Sequence, residues 1–247
     1  MYSSASVIQE ESRGRAAGSR RDALLELVWP TRCAGCEKLG ALVCKTCREE
    51  LKSIQTHDAC SKCGAPFGRL ICTECYSDKG KEHFSFSLAV SALEMDKLIG
   101  RVIVCYKDNN EHRLAEFLSE SLAHAIPPSW LYWADALTWI PGSKKTIRQR
   151  GFDHMQRIAS ELMTRTGLPA QLLLQKRRTK DQRQLGREER QKNLKQSFAL
   201  LESACPHKNI LLIDDVFTTG ATLEAAAKTL LEGGAKEVRV ASIAGPW

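Results

Sequence analysis

The chain has 247 residues, is 43% hydrophobic and carries a net charge of +7, which allows a substantial core in one or two domains and favours anionic partners without choosing among them. No apolar run approaches the roughly 20 residues of a membrane-spanning helix, and Ala23 to Trp29 is short and broken by Glu26, unlike a signal-peptide core. The expectation is a cytoplasmic protein with no membrane insertion.

In chain order, residues 1–18 are polar and rich in small residues, and are predicted to be a disordered leader. Ser19 to Trp29 follows as a short amphipathic helix stopped by Pro30. Next come four CxxC turns: Cys33 with Cys36, Cys44 with Cys47, Cys60 with Cys63, and Cys72 with Cys75. A CxxC turn points two thiolates at one tetrahedral metal, and two turns complete a four-cysteine zinc site. Disulfides suit a secreted chain, and no secretion signal is read here. Two structural zinc ions are therefore expected, and one occupied site with a degenerate second is the alternative. Spacing leaves open whether the turns pair consecutively or alternate. Gly35 and Gly64 are the small residues that such knuckles need. This helix and zinc-ribbon module spans 19–80.

From residue 84 to 247 the pattern becomes that of an α/β domain. Phe86 to Val90 reads as a strand, Leu114 to Ile126 as a helix closed by Pro127 and Pro128, Ala136 to Ile140 as a strand, and Phe152 to Thr166 as a helix. Pro141 to Lys145 reads as a loop where an α/β sheet places ligands. Lys176 to Lys195 is strongly basic with few apolar anchors, the composition of a mobile lid. A solvated surface is the competing reading for both basic stretches.

Asn209 to Thr222 holds the most informative pattern. Ile210 to Ile213 is a continuous apolar run, as in a strand of a parallel sheet covered on both faces. Leu223, Ala226, Ala227, Leu230 and Leu231 then mark one helical face, with Gly233 and Gly234 as the stop, and Glu237 to Ile243 is the closing strand. Between strand and helix, Thr218, Thr219, Gly220, Ala221 and Thr222 form a small-residue loop at a helix N-terminus, where free N–H groups favour a phosphate. Asp214 and Asp215 precede it and suit sugar hydroxyls or a divalent cation.

The whole string resembles the ribose-phosphate loop of type I phosphoribosyltransferases, in which two acids and two apolar residues precede Thr-Thr-Gly-x-Thr. The resemblance implies a parallel sheet with helices on both faces and a site for phosphoribosyl pyrophosphate (PRPP) with Mg2+. Asp214 and Asp215 would hold the ribose, and Thr218 to Thr222 the 5′-phosphate. Ser143, Lys144 and Arg148, joined by Arg187 and Arg190 of the lid, would then hold pyrophosphate.

Beyond the leader, the chain resembles the ComF (competence protein F-like) family. The resemblance rests on Leu24 to Pro30 followed by Arg32 to Cys36, on Tyr106-Lys107-Asp108 as a strand-end motif, and on Arg150-Gly151-Phe152. It also rests on the spaced series Gln182, Leu185, Glu189, Arg190, Asn193, Leu194 and Phe198. Asp153 and His154 stand where that family commonly has Asn-Gln. The resemblance implies a role in competence-linked DNA uptake or processing, with single-stranded DNA and other competence proteins as partners. Phosphoribosyl transfer, a scaffold that binds DNA without catalysis, and nucleobase salvage are the readings it admits.

Overall fold

The computed structural model describes residues 30–67, 70–73, 75, 84–177, 197–201 and 207–246. The leader, the helix expected over 19–29, lid residues Arg187 and Arg190, Cys205 and Trp247 lie outside them. No helix among the described residues is long and apolar enough to cross a membrane.

The elements in chain order are α1 (Lys45–Glu50), β1 (Leu88–Met95), α2 (Lys97–Asp108), α3 (Leu114–Ala125), α4 (Pro128–Trp133), β2 (Ala136–Trp139), α5 (Lys144–Arg150), α6 (His154–Thr166), β3 (Leu174–Lys176), β4 (Phe198–Leu200), β5 (Asn209–Val216), α7 (Ala221–Glu232) and β6 (Glu237–Pro246). β1, β6, β5 and β2 lie side by side in that order, all parallel. β3 and β4 form a separate antiparallel pair.

Successive side chains of a strand point to opposite faces, so the apolar run of β5 feeds two cores. Leu211 and Ile213 enter one with Leu118 and Leu122 of α3 and Ile158 and Leu162 of α6. Ile210 and Leu212 enter the other with Leu223, Ala226 and Leu230 of α7. This is the expected parallel sheet with helices on both faces.

The cysteine-rich module shares these cores. Cys33, Val43 and Cys47 pack with Leu98 and Ile99 of α2 on the first face, whereas Cys60, Cys63 and Ala65 pack with Phe86 and Ala89 on the second. Between the two halves, residues 52–54 run antiparallel along β1. The Ile54 N–H donates to the Ala92 carbonyl and the Glu94 N–H to the Lys52 carbonyl, each at 2.9 Å. The Ala89 N–H donates to the Ser61 carbonyl, also at 2.9 Å. The module thus covers a strand edge that would otherwise offer its backbone groups to a second chain. Gly64, with φ 75°, permits the approach, because a Cβ there would lie 3.1 Å from the Ser91 nitrogen.

Several sequence expectations change. Tyr106-Lys107-Asp108 ends helix α2 rather than a strand, because Asp96 caps the preceding turn by accepting from the Leu98 and Ile99 N–H groups and the apolar residues then follow helical spacing. The loop after β2 is shorter than Pro141 to Lys145, since Ser143 accepts from the Thr146 N–H and starts α5 at Lys144. Pro127 and Pro128 do close α3, and Pro128 then sits in the first turn of α4, where its missing N–H costs nothing.

Ile54→Pro, which removes the N–H that bonds Ala92, should cost at least about 1 kcal/mol in urea denaturation and make the chain aggregate as its concentration rises. Ile54→Val keeps the bond and should stay soluble. Equal solubility of the two would contradict the edge-covering role.

Candidate functional site

β2 and β5 are adjacent and parallel, so the residues that follow them emerge at one end of the sheet. The Ile140 N–H donates to the Ile213 carbonyl at 3.0 Å, which sets Pro141 to Ser143 beside Asp214 and Asp215. Asp214 is only 7% exposed and accepts the Asp215 N–H at 2.9 Å. One oxygen of Asp215, Oδ2, meets both Lys107 Nζ from α2 and His154 Nε2 from α6, the latter at 2.8 Å.

Their surroundings fix this trio. The Tyr106 hydroxyl donates to the His154 main-chain carbonyl at 2.6 Å, and its ring meets Phe152 edge-on at 5.9 Å. Asp153 caps α6 by accepting from the Met155 N–H at 3.1 Å, and its second oxygen accepts the Gly142 N–H at 3.2 Å. Helix start, post-β2 loop and Asp215 are therefore one connected unit.

The two carboxyls are driven apart electrically. Burial pushes Asp214 well above the usual carboxylate range, and the charge on Asp215 adds to the push. Burial acts on Asp215 in the same direction, but the His154 hydrogen bond and the Lys107 charge outweigh it and hold Asp215 at about 2. At neutral pH Asp215 is an anion whose Oδ1 has no partner among the described residues, suited to accept from a hydroxyl.

The loop after β5 is anchored by the Phe217 N–H, which donates to the Ala244 carbonyl at 2.8 Å. Gly220, at φ 73°, caps α7, whose first N–H groups lie beyond it. Thr218 and Thr219 are exposed, and Thr219 Oγ1 accepts the Ala221 N–H at 3.4 Å.

On the β2 side, α5 and the ends of β3 and β4 enclose a cleft of about 1150 Å³. Ser143, Lys144, Lys145 and Arg148 line one wall and Lys176 and Arg177 the other. Among the described residues these five cations make no ion pair. Lys176 lies close enough for its charge to act on Asp214, so cleft and acid pair adjoin. Lys144 and Arg148 lie on the first wall, and the Ser143 hydroxyl caps α5.

The cysteines gather as Cys33, Cys36, Cys44, Cys47 and as Cys60, Cys63, Cys72, Cys75, with all four sulfurs of each set within 4.8 Å of one another. Consecutive turns therefore pair. Cys36 and Cys44 Sγ lie 3.6 Å apart, and Cys63 and Cys72 Sγ 3.7 Å. A zinc tetrahedron with Zn–S bonds of about 2.3 Å has edges of about 3.8 Å, so both sets fit that ion. Backbone N–H groups of Gly35 and Cys44 point at Cys33 Sγ, and that of Cys72 at Cys60 Sγ. Burial pushes Cys33 up, yet the N–H groups outweigh it and lower this thiol to about 6, which favours the thiolate that zinc requires. Four protein donors close each site, so the metal is structural.

Sequence reasoning passed over the roles of Lys107 and His154. Their signals were present: Lys107 is the middle of the Tyr106-Lys107-Asp108 motif, and His154 is one of the two departures after Phe152.

Family models match this chain in two places, a double zinc ribbon domain over residues 24–77 and a phosphoribosyl transferase domain over residues 146–246. The chain is 25% identical to the DNA utilization protein YhgH of Escherichia coli (strain K12) over 202 residues, 80% of this chain and 88% of that protein. It is 26% identical to the competence protein ComFC of Bacillus subtilis (strain 168) over 196 residues, 78% of this chain and 79% of that one. Competence protein F of Haemophilus influenzae is 26% identical over 212 residues, 82% of this chain and 90% of its own.

Because the folded Asp214 carboxyl is raised, ionising it costs stability at pH values above the unfolded carboxylate value of 3.8. Asp214→Asn should therefore raise the thermal midpoint at pH 7, with a gain that vanishes as pH falls below about 4. Asp215→Asn should lower the midpoint at pH 7, since it strips Lys107 of its counter-charge and His154 of its carboxylate partner. Equal effects of the two variants would contradict the opposed shifts.

Proposed function

The chain belongs to the ComF family, a double zinc ribbon joined to a phosphoribosyltransferase domain, and from that premise we propose that it is a cytoplasmic PRPP-binding protein of competence or DNA-utilization type. The observation that carries the reading is the adjacency of three features at one end of the sheet. They are an acid pair, Asp214 buried and Asp215 half-buried and held charged, a glycine-capped helix start, and a basic cleft.

PRPP carries a phosphate, a ribose and a pyrophosphate in that order, and each feature suits one part. The N–H groups at Thr218 to Thr222 bind the 5′-phosphate. Asp215 accepts from a ribose hydroxyl, and Asp214, whose raised pKa favours the protonated form, both donates and accepts. Ser143, Lys144 and Arg148 take the pyrophosphate, with Lys145, Lys176 and Arg177 adding positive charge. Arg187 and Arg190, which the sequence also suggests for pyrophosphate, lie outside the described residues. Magnesium bound with the ligand supplies further neutralisation of the pyrophosphate.

The same placement supports group transfer. As the bond to pyrophosphate breaks, positive charge builds on the ribosyl ring next to Asp215, while negative charge departs toward Lys144 and Arg148. The zinc ribbons take no part in that step, having no open coordination position. A second reading, binding of single-stranded DNA with the fold as a scaffold or sensor, is favoured by the unpaired cations that line the cleft and by the names of the relatives. Its affinity would fall steeply with salt.

Calorimetry with magnesium and PRPP tests the first reading. A charge-assisted hydrogen bond contributes about 1.5–3 kcal/mol and Asp215 supplies one, so the double variant Asp214→Asn/Asp215→Asn should bind at least about 10-fold more weakly than wild type. Binding by a folded, zinc-loaded wild type that survives the double substitution would refute the assignment, as would absence of binding.

A further inference from the structure

Residues 84–87, which run into β1, lie against the phosphate loop. Phe84 stacks on Phe86 with ring centroids 4.6 Å apart, and both meet Phe217 edge-on, at 5.9 and 6.2 Å. Gly220 sits in the angle between these rings. A Cβ at that position would come within 2.7 Å of Phe84 Cε1 and 2.9 Å of Phe217 Cζ. One of the two rings against the cap of α7, that of Phe84, therefore comes from outside the loop.

Ser85 adds a polar tie. Its N–H and its hydroxyl donate to the two carboxylate oxygens of Glu224, at 2.5 and 2.6 Å. Glu224 stands in the first turn of α7, where a carboxylate competes with an anion for the free N–H groups. With both oxygens engaged by Ser85, it is drawn away from that role.

The other side of the segment is the second four-cysteine set. Cys60, Cys63 and Cys72 belong to the same apolar cluster as Phe86, Phe217 and Leu223, and Cys75 and Phe84 pack onto it. Lys62 Nζ, within the first turn of that ribbon, donates to the Ser87 carbonyl at 3.2 Å. The first four-cysteine set packs into the core on the opposite face of the sheet and has no such path to the loop among the described residues. A small-residue loop has little apolar surface of its own to hold its N–H groups convergent, so its order depends on what encloses it.

We infer that the second ribbon is a support for the phosphate loop, acting through Phe84 and Ser85, so that zinc at Cys60, Cys63, Cys72 and Cys75 sets the affinity of the 5′-phosphate end but not that of the pyrophosphate end. Phe84 is a positioning residue, since it acts through Gly220 and Phe217. The identity of the ligand rests on the PRPP reading; the mechanical coupling does not.

Two measurements on the full zinc-loaded chain test it, with Phe84→Ala, Phe84→Leu and Cys72→Ser. The first is amide hydrogen exchange, and the second is the Kd for ribose 5-phosphate and for magnesium pyrophosphate. Phe84→Ala should speed exchange over 217–222 and weaken ribose 5-phosphate on the order of tenfold, leaving exchange over 142–146 and the pyrophosphate Kd unchanged. Phe84→Leu, which keeps apolar bulk, should recover most of both. Cys72→Ser, with one zinc lost by metal analysis, should reproduce the exchange pattern of Phe84→Ala.

Unchanged exchange over 217–222 in Phe84→Ala overturns the inference, and so does a parallel loss of pyrophosphate binding or a failure of leucine to rescue. If wild type binds neither probe, the ligand reading fails and the exchange pattern alone decides the coupling. If Cys72→Ser unfolds throughout, the two Phe84 variants decide it.

Discussion

The half-buried Asp215 carboxylate is the point on which three separate elements converge. An ionised carboxyl removed from water is costly unless it is paired and hydrogen-bonded. Lys107 from α2 and His154 from α6 meet that demand from two helices far apart in the chain. In doing so they fix the end of β5, the start of α6 and the end of α2 relative to one another, and they decide which of the two neighbouring acids carries the charge. The loop that follows, the cleft beside it and the packing behind it are arranged around that anion. Removing either partner would leave Asp215 under-compensated, so the cost would be felt in the placement of the site as well as in stability.

The ribbon module solves a different problem. A four-stranded parallel sheet has two open edges, and β1 forms one of them. Residues 52–54 and Ser61 satisfy backbone groups along it, and the two four-cysteine halves pack into the cores on either face. Zinc is thus linked to folding of the sheet itself, since the thiolates that bind it contribute to the same buried clusters as the helices. The described part of this small module has few apolar residues of its own, and its core is largely that of its neighbour.

Much of the architecture was legible from local pattern. β5 could be read because a strand buried on both faces is apolar at every position from Ile210 to Ile213, and α7 because its apolar residues keep helical spacing up to Gly233. The CxxC turns were legible as metal ligands because each turn is complete by itself. Their pairing was not, because it depends on how two turns meet in space. β3 and β4 escaped notice because three residues carry no usable periodicity, and their partnership spans the basic tract between them. Tyr106-Lys107-Asp108 was misplaced for a related reason: the residues of the motif are local, whereas the contact from Lys107 to Asp215 that explains them joins distant parts of the chain. His154 was visible only as a departure from the expected Asn-Gln, and its partner could not be read without the fold.

The most direct test of the central claim is a crystal structure of the zinc-loaded chain grown with magnesium and PRPP. The account expects the 5′-phosphate on the N–H groups of Thr218 to Thr222, a ribose hydroxyl on Asp215 with Lys107 and His154 still in place, and pyrophosphate between Lys144 and Arg148. A ligand seated elsewhere, or a ribose that makes no contact with Asp214 or Asp215, would contradict it.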